Sequence, residues 1–144
     1  YKIPMPNLEM FLVETGVPES TTGICVEKVR NDFADSSIWT EFESITENIK
    51  VSLHNNDQDQ LRENIRANHQ LLKRIGVVPN QVSQFISEIE LLGGAAKICG
   101  SGSVEGDAGG VVLVLADEMP LEICDKFGFK VSPLRGDPLG TRLV

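Results

Sequence analysis

Five glycines, Gly100, Gly102, Gly106, Gly109 and Gly110, fall within residues 100–110, GSGSVEGDAGG. A plain hairpin needs only one or two. This density predicts a backbone that adopts positive φ repeatedly or comes close to another group. Successive N–H groups in such a loop form a concavity suited to an anion. The segment is not a Walker loop, because no Gly-Lys-Ser/Thr follows. It is not a dinucleotide fingerprint, because Glu105 stands at the third glycine position and an apolar strand follows instead of a helix. Glu105 and Asp107 suit a phosphate only if they point away or a magnesium ion is near. The plain alternative is a flexible strand connection.

A second segment, TGVPESTTG at 15–23, places Ser20, Thr21 and Thr22 where a helix begins. Hydroxyls beside free N–H groups at a helix N-terminus suit a phosphate or carboxylate, although for this segment alone ordinary N-capping by Ser20 or Thr21 is the simpler reading. A third, ANHQLLKRIGV at 67–77, sets Asn68 and His69 near an apolar stripe. The bland reading of that pair is a hydrogen-bonded polar couple in or near the core. No GxSxG elbow occurs, and no nucleophile pairs with a base. Cys25, Cys99 and Cys124 form no CxxC pair and read as buried free thiols in a reducing compartment. His54 and His69 are too far apart in sequence to indicate a metal site.

These segments need elements to position them. MFLV at 10–13 reads as a strand ending in a turn. A helix carrying Ile24, Cys25, Val29 and Phe33 follows, then a second with Ile38, Phe42, Ile45 and Ile49 on one stripe. Asp57 and Gln60 read as a capping box before a helix bearing Leu61, Ile65, Asn68, Leu72 and Ile75. Gly76 stops it, with Lys73 and Arg74 in the last turn. Val82, Phe85, Ile86, Ile89 and Leu92 give a fourth helix, stopped by Gly93-Gly94. Strands are predicted at 95–99, 111–116, 130–134 and 141–144, with a short helix from Pro120 to Phe127 before the last two. This order predicts an α+β sandwich, with helices packed on one face of a mostly antiparallel sheet.

At 144 residues, the chain fits one domain spanning 1–144. With 41% hydrophobic and 24% charged residues, global disorder is excluded. A net charge of -8 disfavours nucleic acid and anionic membrane as partners. No apolar run approaches the roughly 20 residues of a membrane helix. The first residue is Tyr1, so either the start was processed or the chain is a piece of a longer protein.

FLVETGVPESTTG, NHQLLKRIGV and GGAAKICGSGSVEGDAGG, in this order, resemble the C-terminal half of the GHMP kinases, with mevalonate kinases the nearest group. Within that likeness Cys99 and Ser101 stand where Thr and Ala are usual, and Ser103-Val104-Glu105 precedes Gly106-Asp107. The resemblance implies a ferredoxin-like sheet. It implies transfer of the ATP γ-phosphoryl group, with Mg2+, to a small-molecule alcohol, mevalonate in the isoprenoid precursor pathway being the first expectation. Gly100, Ser101, Gly102 and Gly106 would form the phosphate-side loop, Thr21 and Thr22 would line the acceptor pocket, and Lys97 would at most assist electrostatically. Catalytic residues and metal ligands would belong to an N-terminal kinase domain, out of which residues 1–16 lead. The setting would be the cytoplasm, with a homodimer one expected assembly. Two alternatives stay open: a sugar or amino-acid alcohol as acceptor, and a non-catalytic ligand-binding or regulatory module of the same fold.

Overall fold

The structure is a computed structural model that describes residues 9–136. β1 (Met10–Glu14) leads into four helices: α1 (Thr22–Phe33), α2 (Ile38–Asn55), α3 (Gln58–Arg74) and α4 (Asn80–Leu91). β2 (Ala95–Cys99), β3 (Val111–Leu115), α5 (Leu121–Phe127) and β4 (Lys130–Pro133) follow. Element order therefore agrees with the periodicity of the sequence. The expected strand at 141–144 lies outside the described residues.

The four strands form one sheet in the order β2-β3-β1-β4, with every neighbouring pair antiparallel. Each central strand runs through helices to an edge strand, β1 through α1–α4 to β2 and β3 through α5 to β4, which makes this the ferredoxin-like arrangement within an α+β fold. Register puts Phe11 opposite Val114, Val13 opposite Val112, and Ala96 and Ile98 opposite the same two valines. Side chains alternate across a strand, so these six share one face, and all are buried. Onto it α4 lays Val82, Phe85, Ile86 and Ile89, and α5 adds Cys124. Phe85 meets Phe127 and Phe129 edge-on at centroid distances of 5.6 and 5.2 Å.

To the single helical layer expected from the sequence, the structure adds a second. Met10, Ala95, Leu113 and Leu115 point to the other face, where they pack with Ile49 and Leu53 of α2 and Leu61 and Ile65 of α3. The physical reason is in the strands: VVLVL is apolar on both sides, and Ala95 of AAKIC extends the second apolar face as far as Lys97, so both sides need cover. Arg66 fastens α3 to the sheet by donating to the carbonyls of Gly93 (2.8 Å) and Gly94 (2.7 and 2.9 Å).

Several local expectations change. Ile24 on α1 is 47% exposed, and Leu92 falls past the end of α4 at 78% exposed. Only half of the expected capping box forms. Asp57 Oδ1 accepts from the Gln60 N–H at 3.0 Å, but the Asp57 N–H goes to the Ser52 carbonyl at 2.9 Å. Cys25 and Cys124 are buried free thiols, whereas Cys99 is exposed at the outward end of β2. Burial, then the carboxylate of Asp125, pushes the Cys124 thiol up to about 11, so it stays protonated.

Candidate functional site

The glycine loop joins β2 to β3, and the hydroxyl-rich segment after β1 lies against it. Thr15 closes the strand end: its N–H and Oγ1 both donate to the Gly110 carbonyl (2.8 and 2.9 Å), and Oγ1 accepts from the Gly109 N–H at 3.0 Å. Farther along, Ser103, 1% exposed, ties three segments together. Its N–H donates to the Val77 carbonyl at 3.0 Å, just past the end of α3. Its Oγ accepts from the Ser20 N–H at 3.1 Å and donates to the Glu105 carbonyl at 2.7 Å. All three segments singled out in the sequence thus meet at one place.

Thr21 and Thr22 play different parts. Thr21 Oγ1 caps α1 by accepting from the Ile24 N–H at 3.4 Å. Thr22 Oγ1 reaches Ser101 Oγ across the seam at 3.3 Å, exposed to solvent. The first turn of α1 carries no acidic residue, so the partial positive charge of its N-terminus is uncompensated within the helix. Ser20 Oγ, buried beside the same seam, has no hydrogen-bond partner in the protein.

The loop glycines are also not equivalent. A Cβ at Gly102 (φ +64°) would drive into the Val77 carbonyl and the Ile98 side chain, so this close approach is to the protein's own backbone. At Gly106 the space is taken by the Glu19 side chain, which puts a carboxylate on that side of the loop. Gly100 (φ +82°) differs: nothing lies within 4 Å of the position a Cβ would take. The unobstructed backbone is therefore at the Gly100–Ser101 end, next to Thr22 and the start of α1. The loop residues fit an anion there and oppose one at Gly106.

Beside Gly100 and Ser101 opens a cleft of about 430 Å³, walled by α1, the start of α2 and the end of α3. Its surface is almost wholly apolar, with Val26, Val29, Trp39, Leu72 and Ile75 in its walls. Thr21 and Thr22 lie outside its lining.

Lys97 Nζ donates to the Ile98 carbonyl at 2.8 Å. His69 is 1% exposed, and burial followed by the charge of Lys73 lowers its pKa to about 4, so it is neutral at pH 7. The expected hydrogen-bonded Asn68–His69 pair is in the core region, but Asn68 Oδ1 and His69 Nδ1 both lack a protein partner. Among the described residues no group of three or more His, Cys, Asp or Glu is placed to hold a metal ion. No helix among them is long and apolar enough to cross a membrane.

Ser103 and Ser20 were not foreseen as the seam between segments. A serine inside a glycine run carries no local signal of a partner 83 residues away.

The four-stranded antiparallel sheet, its helical crossovers and the loop at the β2–β3 turn agree with a match to a protein family: residues 49–123 fit the model for the GHMP kinases C terminal domain. The chain belongs to that family. No curated protein sequence matches it. Among solved structures, a Lin0012 protein from Listeria innocua superposes with a TM-score of 0.75 at 20% identity, over 93% of this chain and 43% of that one. Streptococcus pneumoniae phosphomevalonate kinase, in complex with phosphomevalonate and AMPPNP, superposes at 0.74 with 14% identity, over 90% and 41%. L. major mevalonate kinase, in complex with R-mevalonate, gives 0.66 with 20% identity, over 84% and 36%. The chain thus spans about two fifths of the length of the structures it resembles.

Proposed function

We propose that this chain is the C-terminal domain of an ATP-dependent small-molecule kinase that phosphorylates mevalonate or its phosphate in the isoprenoid precursor pathway. The observation that carries the reading is the seam at Thr22 and Ser101. Two exposed hydroxyls, an open glycine backbone and a helix N-terminus whose first turn carries no acidic residue lie together. Phosphoryl transfer asks a protein chiefly for positioning and for neutralisation of charge on the moving group.

In this reading Gly100, Ser101 and Gly102 form the phosphate-side edge, and Gly106 holds the loop against Glu19. Thr22 contacts the acceptor, and Thr21 sets the helix end that supports it. ATP supplies the phosphoryl group, and Mg2+ neutralises its charge. The metal ligands, the nucleotide cradle and the catalytic groups are assigned to an N-terminal kinase domain. That domain packs over the loop, where Val17 is 88% exposed on the segment touching Ala108 and Gly110. The compartment is the cytoplasm.

The test is an acceptor panel with the intact enzyme that contains this chain, followed by ADP release with ATP and Mg2+. Mevalonate or phosphomevalonate should turn over, and galactose and homoserine should not. Turnover of a sugar or amino-acid alcohol alone overturns the acceptor assignment. Absence of ADP release with every acceptor overturns the kinase assignment and leaves a binding or regulatory module.

A further inference from the structure

Residues 16–22 reach the glycine loop by hydrogen bonds of two kinds. Thr22 Oγ1 meets Ser101 Oγ at 3.3 Å in the open, where water competes for both groups. The Ser20 N–H meets Ser103 Oγ at 3.1 Å in the interior, where water does not. Ser103 interrupts the glycine run, and it is fixed from its other side. Its N–H donates at 3.0 Å to the carbonyl of Val77, a buried core residue. The preceding Gly102 lies so close to that carbonyl that no Cβ fits. Ser103 Oγ gives its own proton to the Glu105 carbonyl at 2.7 Å, which holds the turn before Gly106. One buried hydroxyl thus donates to the loop and accepts from the segment that carries Thr21 and Thr22.

We propose that Ser103 is a positioning residue, which sets the spacing between the phosphate-side backbone at Gly100–Gly102 and the acceptor side at Thr22. It touches neither ligand and acts through Ser20, two residues before Thr22. Transfer depends steeply on how the reacting groups are placed, so a loosened seam lowers the rate without weakening the binding of either substrate. This role in transfer rests on the kinase reading above; the placement of the seam by Ser103 does not.

The test uses the intact enzyme that contains this chain, as the parent, Ser103→Ala, Ser103→Thr and a matched comparison, Ser52→Ala. Ser52 is a buried serine of the same kind near the C-terminal end of α2: its Oγ donates to the Asn48 carbonyl at 2.8 Å and accepts from Asn64 Nδ2 at 3.2 Å. In the parent, the Ser20 amide lies outside any helix or strand, yet it should exchange its hydrogen about a hundredfold more slowly than a free amide. In Ser103→Ala, exchange at residues 20–25 and 101–105 should speed up together by about tenfold. It should recover in Ser103→Thr, which keeps the hydroxyl, and match the parent in Ser52→Ala. With ATP and the acceptor that the parent turns over, kcat should fall about tenfold in Ser103→Ala with each KM within about twofold. Ser52→Ala, at a similar loss of unfolding midpoint, should keep the parent kcat, whereas a merely structural Ser103 would give both variants the same kinetics. Three results overturn the proposal: an unprotected Ser20 amide in the parent, parent exchange rates at residues 20–25 in Ser103→Ala, or equal kcat in Ser103→Ala and Ser52→Ala. A parent that turns over no acceptor overturns the kinase reading instead, and hydrogen exchange then decides the placement of the seam by itself.

Discussion

The two glycines at the mouth of the loop do different work, and substitution separates them. Gly102 needs both a left-handed backbone and the absence of a side chain, because Val77 and Ile98 occupy the space a Cβ would enter. Gly100 needs only the backbone conformation. Gly100→Ala should therefore cost about 1 kcal/mol, the price of a left-handed alanine. Gly102→Ala should cost about 3 kcal/mol or more, because the Ser103–Val77 hydrogen bond moves with it. Urea unfolding of both variants checks this, and equal losses would contradict the assignment. Glycine density was legible because it is local. The partners of each glycine were not, because Val77, Glu19 and Ser20 reach the loop only after the chain has folded.

At the scale of elements, the sequence revealed much of each helix and strand, since apolar spacing and caps are set by neighbours a few residues apart. Asp57 shows the limit. The pair Asp57 and Gln60 has the spacing of a reciprocal box, but the tight turn out of α2, with Asn56 left-handed at φ 53°, delivers the Asp57 N–H to Ser52 instead. Asp57→Ala should accordingly cost about 1 kcal/mol, while Gln60→Ala should change stability by no more than a few tenths. Losses of similar size in the two variants, measured from denaturation midpoints, would restore the reciprocal box. The second helical layer was hidden for a related reason. A strand apolar on both faces announces that each face is covered and does not say by which helix. The α2–α3 hairpin reaches its face only through long-range packing of Leu61 and Ile65 on Ala95 and Leu115.

For the whole molecule, the buried His69 makes stability depend on pH. Its folded pKa of about 4 lies below the usual 6.5, so the unfolded chain takes up the proton first. Stability is complete above pH 6.5 and falls as the pH drops toward 4. The full shift corresponds to about 3 kcal/mol, and screening near exposed Lys73 brings the expected loss to about 2 kcal/mol. Glu90, whose pKa burial raises against the pull of Arg66 and Lys73, acts in the opposite sense and blunts the fall. Urea unfolding at pH 7 and pH 5 should show the decline in the parent and a flatter profile in His69→Gln, and parallel profiles would remove His69 as its source. The sequence placed this residue near the core by its position on the α3 stripe. It gave no sign that Nδ1 would lack a partner, which depends on what the opposing elements present.

The central claim is that the Thr22–Ser101 seam faces an alcohol acceptor during phosphoryl transfer. Both side chains are at the surface, so altering them should leave folding intact. The direct measurement is kcat/KM for transfer of the ATP γ-phosphoryl group to mevalonate and to phosphomevalonate, comparing the intact parent enzyme with its Thr22→Val, Ser101→Ala double variant. The account predicts turnover of one of these acceptors by the parent, and a loss of about tenfold or more in the variant with an unchanged unfolding midpoint, equivalent to about 1.4 kcal/mol of transition-state binding. Parent-level kcat/KM in the double variant would contradict it.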